Sequence, residues 1–333
     1  MTNPTHDVLA VGNAIVDVIA EVDDAFLVEH GLTKDSMQLI EPEQAEVLYE
    51  AMPPGVETSG GSAANTAVGV VSLGGRAAFV GKVRNDQLGA VYVHDLRAAG
   101  VDFSVPPADE GPPTASSLIV VTPDAHRTMN TSLGIAGQVD VDDIDVDLAR
   151  SARVLFFEGY LWDHESMKDA IGLLIRVARE AGNKVSLTLS DEFCVERHRS
   201  KFLELIRSSI DVLFANQAEI RSLYEVEHFD DAMQLARQDC DLCFLTRGAA
   251  GAVVVQGDEM HVVGAHPQGP VVDTTGAGDQ FAAGALYGLT RGHDLATCAR
   301  VGSLAAGEVI SHIGPRPHRD LRILARDVLA SPR

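Results

Sequence analysis

Residues 271–289 read VVDTTGAGDQFAAGALYGL. A short apolar run ends at Asp273. Gly276, Ala277 and Gly278 follow Thr275, and Asp279 then opens an apolar helical pattern. Glycine and alanine let a backbone approach a ligand closely. The first N–H groups of a helix have no internal partner and carry the positive end of the dipole, so such a turn is an anion site. An acid at its rim repels a resting anion. It fits better as a group that takes a proton from an incoming hydroxyl while the N–H groups hold a transferring phosphoryl. The spacing describes equally well a plain strand–helix turn with an acidic first-turn residue.

Outward from this stretch, apolar strands alternate with helical patterns. DVLAVG, RAAFVGKV, ARVLFFEG, KVSLTLS, DVLFA, LCFLTRG and GAVVVQG read as strands. SAANTAVGVVSLGG, DQLGAVYVHDLRAAG, NQAEIRSLY and DHESMKDAIGLLIRVAREAG read as helices, the last with Asp163 as its N-cap. Continuous apolar strands between helices predict an α/β fold, a central and mostly parallel sheet with helices on both faces. Ligands then bind beyond the carboxyl ends of the strands. Two segments break the rhythm. Residues 15–52 hold VDVIAEV, a short helix DDAFLVEHGL and SMQLIE; residues 114–132 hold TASSLIVVT and HRTMNTS joined by PDA. They are expected to meet as a small β-rich lid domain, with an antiparallel sheet in its second segment. Residues 1–14, 53–113 and 133–333 then form the large domain.

The chain has 333 residues, 46% of them hydrophobic, with 26 Lys+Arg against 48 Asp+Glu and a formal net charge of -22. That field repels nucleic acid and anionic lipid, while a local nest of N–H groups can still accept an anionic nucleotide. The start lacks a basic stretch followed by an apolar one, and no apolar run approaches the roughly 20 residues of a membrane span. The expectation is a cytoplasmic protein without nucleic-acid or membrane partners. Cys194, Cys240, Cys243 and Cys298 suggest buried thiols, since the C-x-x-C at 240–243 has no further zinc ligands nearby. The acidic run VDVDDIDVD at 139–147 lacks the glycine and terminal glutamate of a calcium loop and reads as a solvated loop. The sequon at Asn130 has no secretion signal to go with it. GGRAAFVGKV fails as a Walker A loop, with Val83 where Ser or Thr must bind magnesium, and VGNAIVDV lacks the glycines of a dinucleotide fingerprint.

DTTGAGDQF resembles the C-terminal signature of the ribokinase-like (PfkB) carbohydrate and nucleoside kinases. SGGSAANTA (59–67) resembles their N-terminal signature, NQAE (216–219) their N-x-x-E motif, and TRG (246–248) their nucleotide-side T-x-G. The resemblance implies an ATP- and Mg2+-dependent kinase acting on an alcohol, with Asp279 as base and Gly276, Ala277 and Gly278 as anion hole. It places Asn216, Thr246, Arg247 and Gly248 on the nucleotide side. It also implies a monovalent cation such as K+ near Asp273, Thr275 and the HIGPRP segment around Gly314.

The other matching positions suit roles of their own. Gly60 and Gly61 give backbone freedom between lid and body, as a hinge needs. Asn65, one helical turn on, can bond a substrate hydroxyl. Asp17 can accept from two neighbouring hydroxyls, as on a ribose. Asn216 and Glu219 can order magnesium-bound water, or simply cap a helix. Arg127 could approach phosphate as the lid closes. Within the family the N-terminal third looks most like adenosine kinases, including Asn13, Ile15, Asp17 and Gln38. Tyr160 stands where those enzymes carry an aromatic that packs on the base, whereas Glu158 departs from the small residue usual at that strand end. The expected substrate is a nucleoside, adenosine first, phosphorylated at its ribose 5′-hydroxyl. The alternatives are a sugar kinase of the same family, for ribose, fructose or a keto-sugar acid, and a catalytically dead nucleotide-binding regulator. Monomer and homodimer both fit.

Overall fold

The first strand, His6–Val11, buries Val8, Leu9, Ala10 and Val11 completely, as a strand covered by helices on both faces must. It lies inside an eight-stranded sheet. Across that sheet the order is Glu259–Val263, Ala252–Gln256, Leu242–Thr246, Val212–Asn216, Lys184–Thr188, Ala152–Glu158, His6–Val11 and Ala77–Val80. The computed structural model describes residues 4–34, 36–124 and 126–330. Ala125, in the expected PDA joint, lies outside them.

Leu242–Thr246 and the five strands beyond it run parallel, and the two strands at the near edge are antiparallel. The reversal follows from short connections, because a parallel crossover needs a dozen residues or more. Here Gly251 (φ +84°) and Gly257 (φ +54°) turn the chain back at once. The helix expected after Asp163 spans Glu165–Glu180, but its N-cap is His164. Asp163 ends a 3-10 turn and points its carboxylate at Arg197 and His198 instead, 2.9 and 2.6 Å away. The long helices Glu192–Ser209, Phe229–Asp239 and Leu295–Val309 also cover the sheet, beyond those read from the sequence. All four cysteines are buried and free. Among the described residues no helix is long and apolar enough to cross a membrane.

A second sheet has five strands in the order Met37–Leu39, Arg127–Ser132, Ala115–Val121, Ile15–Glu21 and Val56–Ser59. Ala115–Val121 and Arg127–Ser132 form the expected antiparallel pair. Ile15–Glu21 instead lies parallel to Ala115–Val121, and Met37–Leu39 parallel to Arg127–Ser132. These partners are far apart in sequence, so no hairpin dictates their direction. Val56–Ser59 pairs with Ile15–Glu21 and so belongs to this sheet, although the sequence reading put residues 53–113 in the large body. Its VETS carries no apolar run, and backbone pairing alone places it.

The register sorts the residues of this sheet by face. Asp17 lies opposite Ser117, Ser117 opposite Thr131, and Thr131 opposite Leu39. Ile15, Ile19, Ile119 and Met129 share that face by the two-residue period.

Candidate active site

Gly60 and Gly61 carry the chain from the smaller sheet into the Ser62–Ser72 helix. Gly61 has φ +92°, and a Cβ there would stand 2.3 Å from the Asn13 carbonyl oxygen. A Cβ on Gly60 would stand 2.6 Å from Asp17 Oδ2. The glycine pair therefore lets two chain segments close against each other around the Asp17 carboxylate.

Ser62 and Asn65 follow one turn apart and share a helix face. Both reach Asp279 on the Ala277–Thr290 helix. Ser62 Oγ donates to Asp279 Oδ1 at 2.6 Å, and Asn65 Nδ2 donates to Oδ2 at 3.1 Å. Burial raises the pKa of Asp279, opposed by these two bonds and by the charge of Arg316. Ser62 joins the expected residues, and its spacing from Asn65 in SGGSAANTA is the sequence signal for it.

Gly276 caps the Asp279 helix at φ +78°, where a Cβ would meet Pro315 Cα at 2.6 Å. The Ala277 N–H donates to the Thr274 carbonyl at 3.2 Å, so Ala277 does not offer the free donor expected of it. Helix geometry leaves the N–H groups of Gly278 and Asp279 open. On one side of this turn lies a cavity of about 370 Å³ lined by Thr246, Gly248, Pro267, Ala277, Gly278 and Phe281. A smaller one, about 80 Å³, joins Ser62, Asn216, Glu219, Thr246, Gly278 and Asp279. Arg247 takes no part in either; its guanidinium lies 4.6 Å above the Phe229 ring.

Asn216 and Glu219 form a capping box. Asn216 Oδ1 accepts from Ala218 N and Glu219 N, while Glu219 Oε2 accepts from Asn216 N at 2.8 Å. Burial pushes the Glu219 carboxyl up to about 7, so a polar group is held beside Asp279 at the edge of ionisation. The helix-capping reading of this motif is the one the hydrogen bonds carry. Among the described residues no cluster of three or more His, Cys, Asp or Glu side chains is placed to hold a metal.

Beyond the Ser62–Ser72 helix stand Asp17, Asn13 and Glu158. Burial pushes Asp17 up to about 7, against the pull of Arg316 and Arg127. Asn13 is 2% exposed, and its Oδ1 is buried without a partner. Glu158 is the buried acid at the end of Ala152–Glu158. It accepts from Asn13 N and Ala63 N, both at 2.9 Å. It thus supplies the side-chain cap that Gly61 cannot give the helix. Burial pushes Glu158 up to about 7 as well.

Three sequence expectations need correction. Gln38 donates to Asn130 Oδ1 at 2.7 Å on the sheet face opposite Asp17, because one residue along a strand reverses the side chain. Arg127 pairs with Asp273 Oδ2 at 2.9 Å, rather than standing free for phosphate. Asp273 also accepts from Thr275 N, Thr275 Oγ1 and Gly314 N, so the oxygens expected to meet a monovalent cation are engaged. Tyr160 is partly buried against the core; burial and then the Asp191 charge raise its phenol, and it lines neither cavity beside Asp279.

A family model described as pfkB family carbohydrate kinase matches residues 6–320. The chain belongs to that family. It is similar to the solved adenosine kinase from Sinorhizobium meliloti, with 52% identity, 97% of this chain and 99% of that one covered, and a TM-score of 0.89. A probable sugar kinase protein from Rhizobium etli CFN 42 is 48% identical, with 97% and 98% covered and a TM-score of 0.90. By sequence, the adenosine kinase of Saccharomyces cerevisiae is 26% identical over 93% of this chain and 96% of its own. Probable fructokinase-3 of Arabidopsis thaliana is 30% identical over 72% and 71%. The fold of this pfkB-family kinase is ribokinase-like, and the protein is a phosphotransferase with an alcohol acceptor on a sugar or nucleoside.

Proposed function

We propose that the chain transfers the γ-phosphoryl group of ATP to the ribose 5′-hydroxyl of a nucleoside, adenosine first. The observation that carries this reading is Asp279, recessed at a helix N-terminus and oriented on both oxygens by Ser62 and Asn65. Asp279 accepts the hydroxyl proton as the oxygen attacks. The open N–H groups of Gly278 and Asp279 steady the charge on the transferring group. ATP takes the cavity lined by Thr246 and Gly248, with its phosphates toward Gly278.

Magnesium, bound with ATP, would neutralise phosphate charge and would meet the protein through its waters. The few oxygen donors at Asn216 and Glu219 fit contact with that water shell. A monovalent cation such as K+ could reach Asp273 and Thr275 only with Arg127 withdrawn.

The nucleoside preference is supported by the face around Asp17. The carboxylate shares its face with Ser117 and Thr131 and with Ile15, Ile19, Ile119 and Met129, a mix of polar and apolar groups that suits a ribose diol beside a flat apolar base. The smaller sheet then serves as the lid, hinged at Gly60 and Gly61, and the chain works as monomer or homodimer. A sugar substrate is the second reading, supported by the likeness to proteins named as a probable sugar kinase and a probable fructokinase. Release of ADP with adenosine, ribose and fructose at matched ATP and magnesium tests the two. Adenosine should lead in kcat/KM by on the order of 10²-fold. A preference for ribose or fructose overturns the nucleoside reading and leaves the phosphoryl-transfer site standing.

A further inference from the structure

Arg316, in the HIGPRP segment, is partly buried, with its Nη2 enclosed, and burial lowers its pKa. Buried guanidinium groups are normally held by carboxylates, because an unpaired buried charge is costly. Arg316 hydrogen-bonds to neutral oxygens instead. Its Nε donates to Asn65 Oδ1 at 3.2 Å and its Nη1 to Ser59 Oγ at 2.7 Å, while Nη2 is buried without a partner. Asp17, Asp95 and Asp279 act on it only through longer-range charge.

Its backbone is fixed from two sides. Gln280 Nε2, next to Asp279 in sequence, donates to the Pro315 carbonyl at 3.1 Å and to the Asn65 carbonyl at 3.0 Å. Gly276 leaves room for Pro315 by lacking a Cβ. The helix that carries the base thus also anchors Arg316.

The chemistry of the chain of contacts allows one orientation. A guanidinium only donates and a carboxylate only accepts. The Asn65 amide lies between them, with its oxygen on Arg316 and its nitrogen on Asp279. Inverting that amide would set donor against donor and acceptor against acceptor. We infer that Arg316 is a positioning residue of the phosphoryl-transfer site, which holds the Asn65 amide so that Nδ2 faces Asp279 and which, through Ser59, ties the strand before the glycine hinge to that alignment. The inference rests on Asp279 being the base. It explains why a cation is kept here without a salt bridge: a carboxylate on Arg316 would remove the pull on Asn65.

The test compares Arg316→Met and Arg316→Lys with the unmodified enzyme, using the best acceptor among adenosine, ribose and fructose. Arg316→Met should lower kcat by about 10-fold or more, as expected for lost alignment of the reacting groups, while KM for ATP changes by less than about 2-fold. Arg316→Lys, with one ammonium for two diverging acceptors, should recover part of kcat. In an Asn65→Ala background Arg316→Met should cost no more than about 2-fold, because its effect runs through that amide. Wild-type kcat in Arg316→Met, or an equal loss with and without Asn65, would overturn the inference. So would a loss of activity in both variants that tracks loss of the folded protein in thermal unfolding. Full turnover in Asp279→Asn would instead remove the base on which the inference depends, so the two failures are told apart.

Discussion

Asn65 and Asp279 stand 214 residues apart in the chain and are joined by a hydrogen bond of 3.1 Å, amide nitrogen to carboxylate oxygen. The bond links the helix after Gly60 and Gly61 to the helix that starts beside Gly276. It makes the first prediction a sharp one. Asp279→Asn keeps the shape of the side chain but turns a proton acceptor into an amide. Turnover should fall by at least about 10²-fold while ATP binding by calorimetry stays near that of the unmodified enzyme. Near wild-type turnover would take Asp279 out of the mechanism.

Asp17 lies on the sheet face opposite Ser117, and Gly60 is packed against its carboxylate. Asp17→Ala should raise KM for the alcohol by about 10-fold or more and leave ATP affinity nearly unchanged, because it removes an acceptor for substrate hydroxyls only. Gly60→Ala should reproduce part of that rise, since its Cβ would press 2.6 Å from Asp17 Oδ2. Initial rates at varied alcohol and fixed ATP give the answer. Collapse of ATP binding with alcohol binding intact would show the two sites to be reversed.

Glu158 satisfies two backbone N–H groups, those of Asn13 and Ala63, in a fully buried position. Glu158→Ala orphans both and opens a void. It should cost about 2–4 kcal/mol of stability in urea unfolding. Glu158→Gln keeps an acceptor for one of them and should cost less. Equal stability of Glu158→Ala and the unmodified chain would refute the capping role.

The buried carboxyls give opposite pH trends for stability and activity. Asp17, Glu158 and Glu219 are raised to about 7 by burial, and Asp279 is raised too. Below these values and above the ordinary carboxylate range, the folded state binds more protons than the unfolded state. Stability from these groups is therefore fully present at low pH and is lost as pH rises through about 7. Substrate hydroxyls need Asp17 as a carboxylate to accept them, and activity runs the other way. Between about pH 7 and about pH 5, the thermal midpoint of the ligand-free protein should rise while kcat/KM falls. Parallel movement of the two would contradict the assignment.

The sequence by itself determined the layered fold and most of the chemistry. Continuous apolar strands such as Val8–Val11 can be satisfied only inside a sheet covered on both sides, so the α/β class follows from local pattern. The GAGD turn and the GGSAAN segment are also local, since a glycine at positive φ and an acid in a first helical turn are readable where they stand. Tertiary structure alone decided partners and faces. Gln38 looked like a substrate group until strand register turned it away from Asp17, because the face of a strand residue depends on its pairing partner. Arg127 found Asp273 from a distant part of the chain, and Arg316 came to rest on Asn65 across a separation of 251 residues. Nothing in a solvated arginine's own sequence neighbourhood says which buried oxygen it will meet. That is settled only when Gly276 and Gln280 clamp Pro315 and so aim the next side chain into the site.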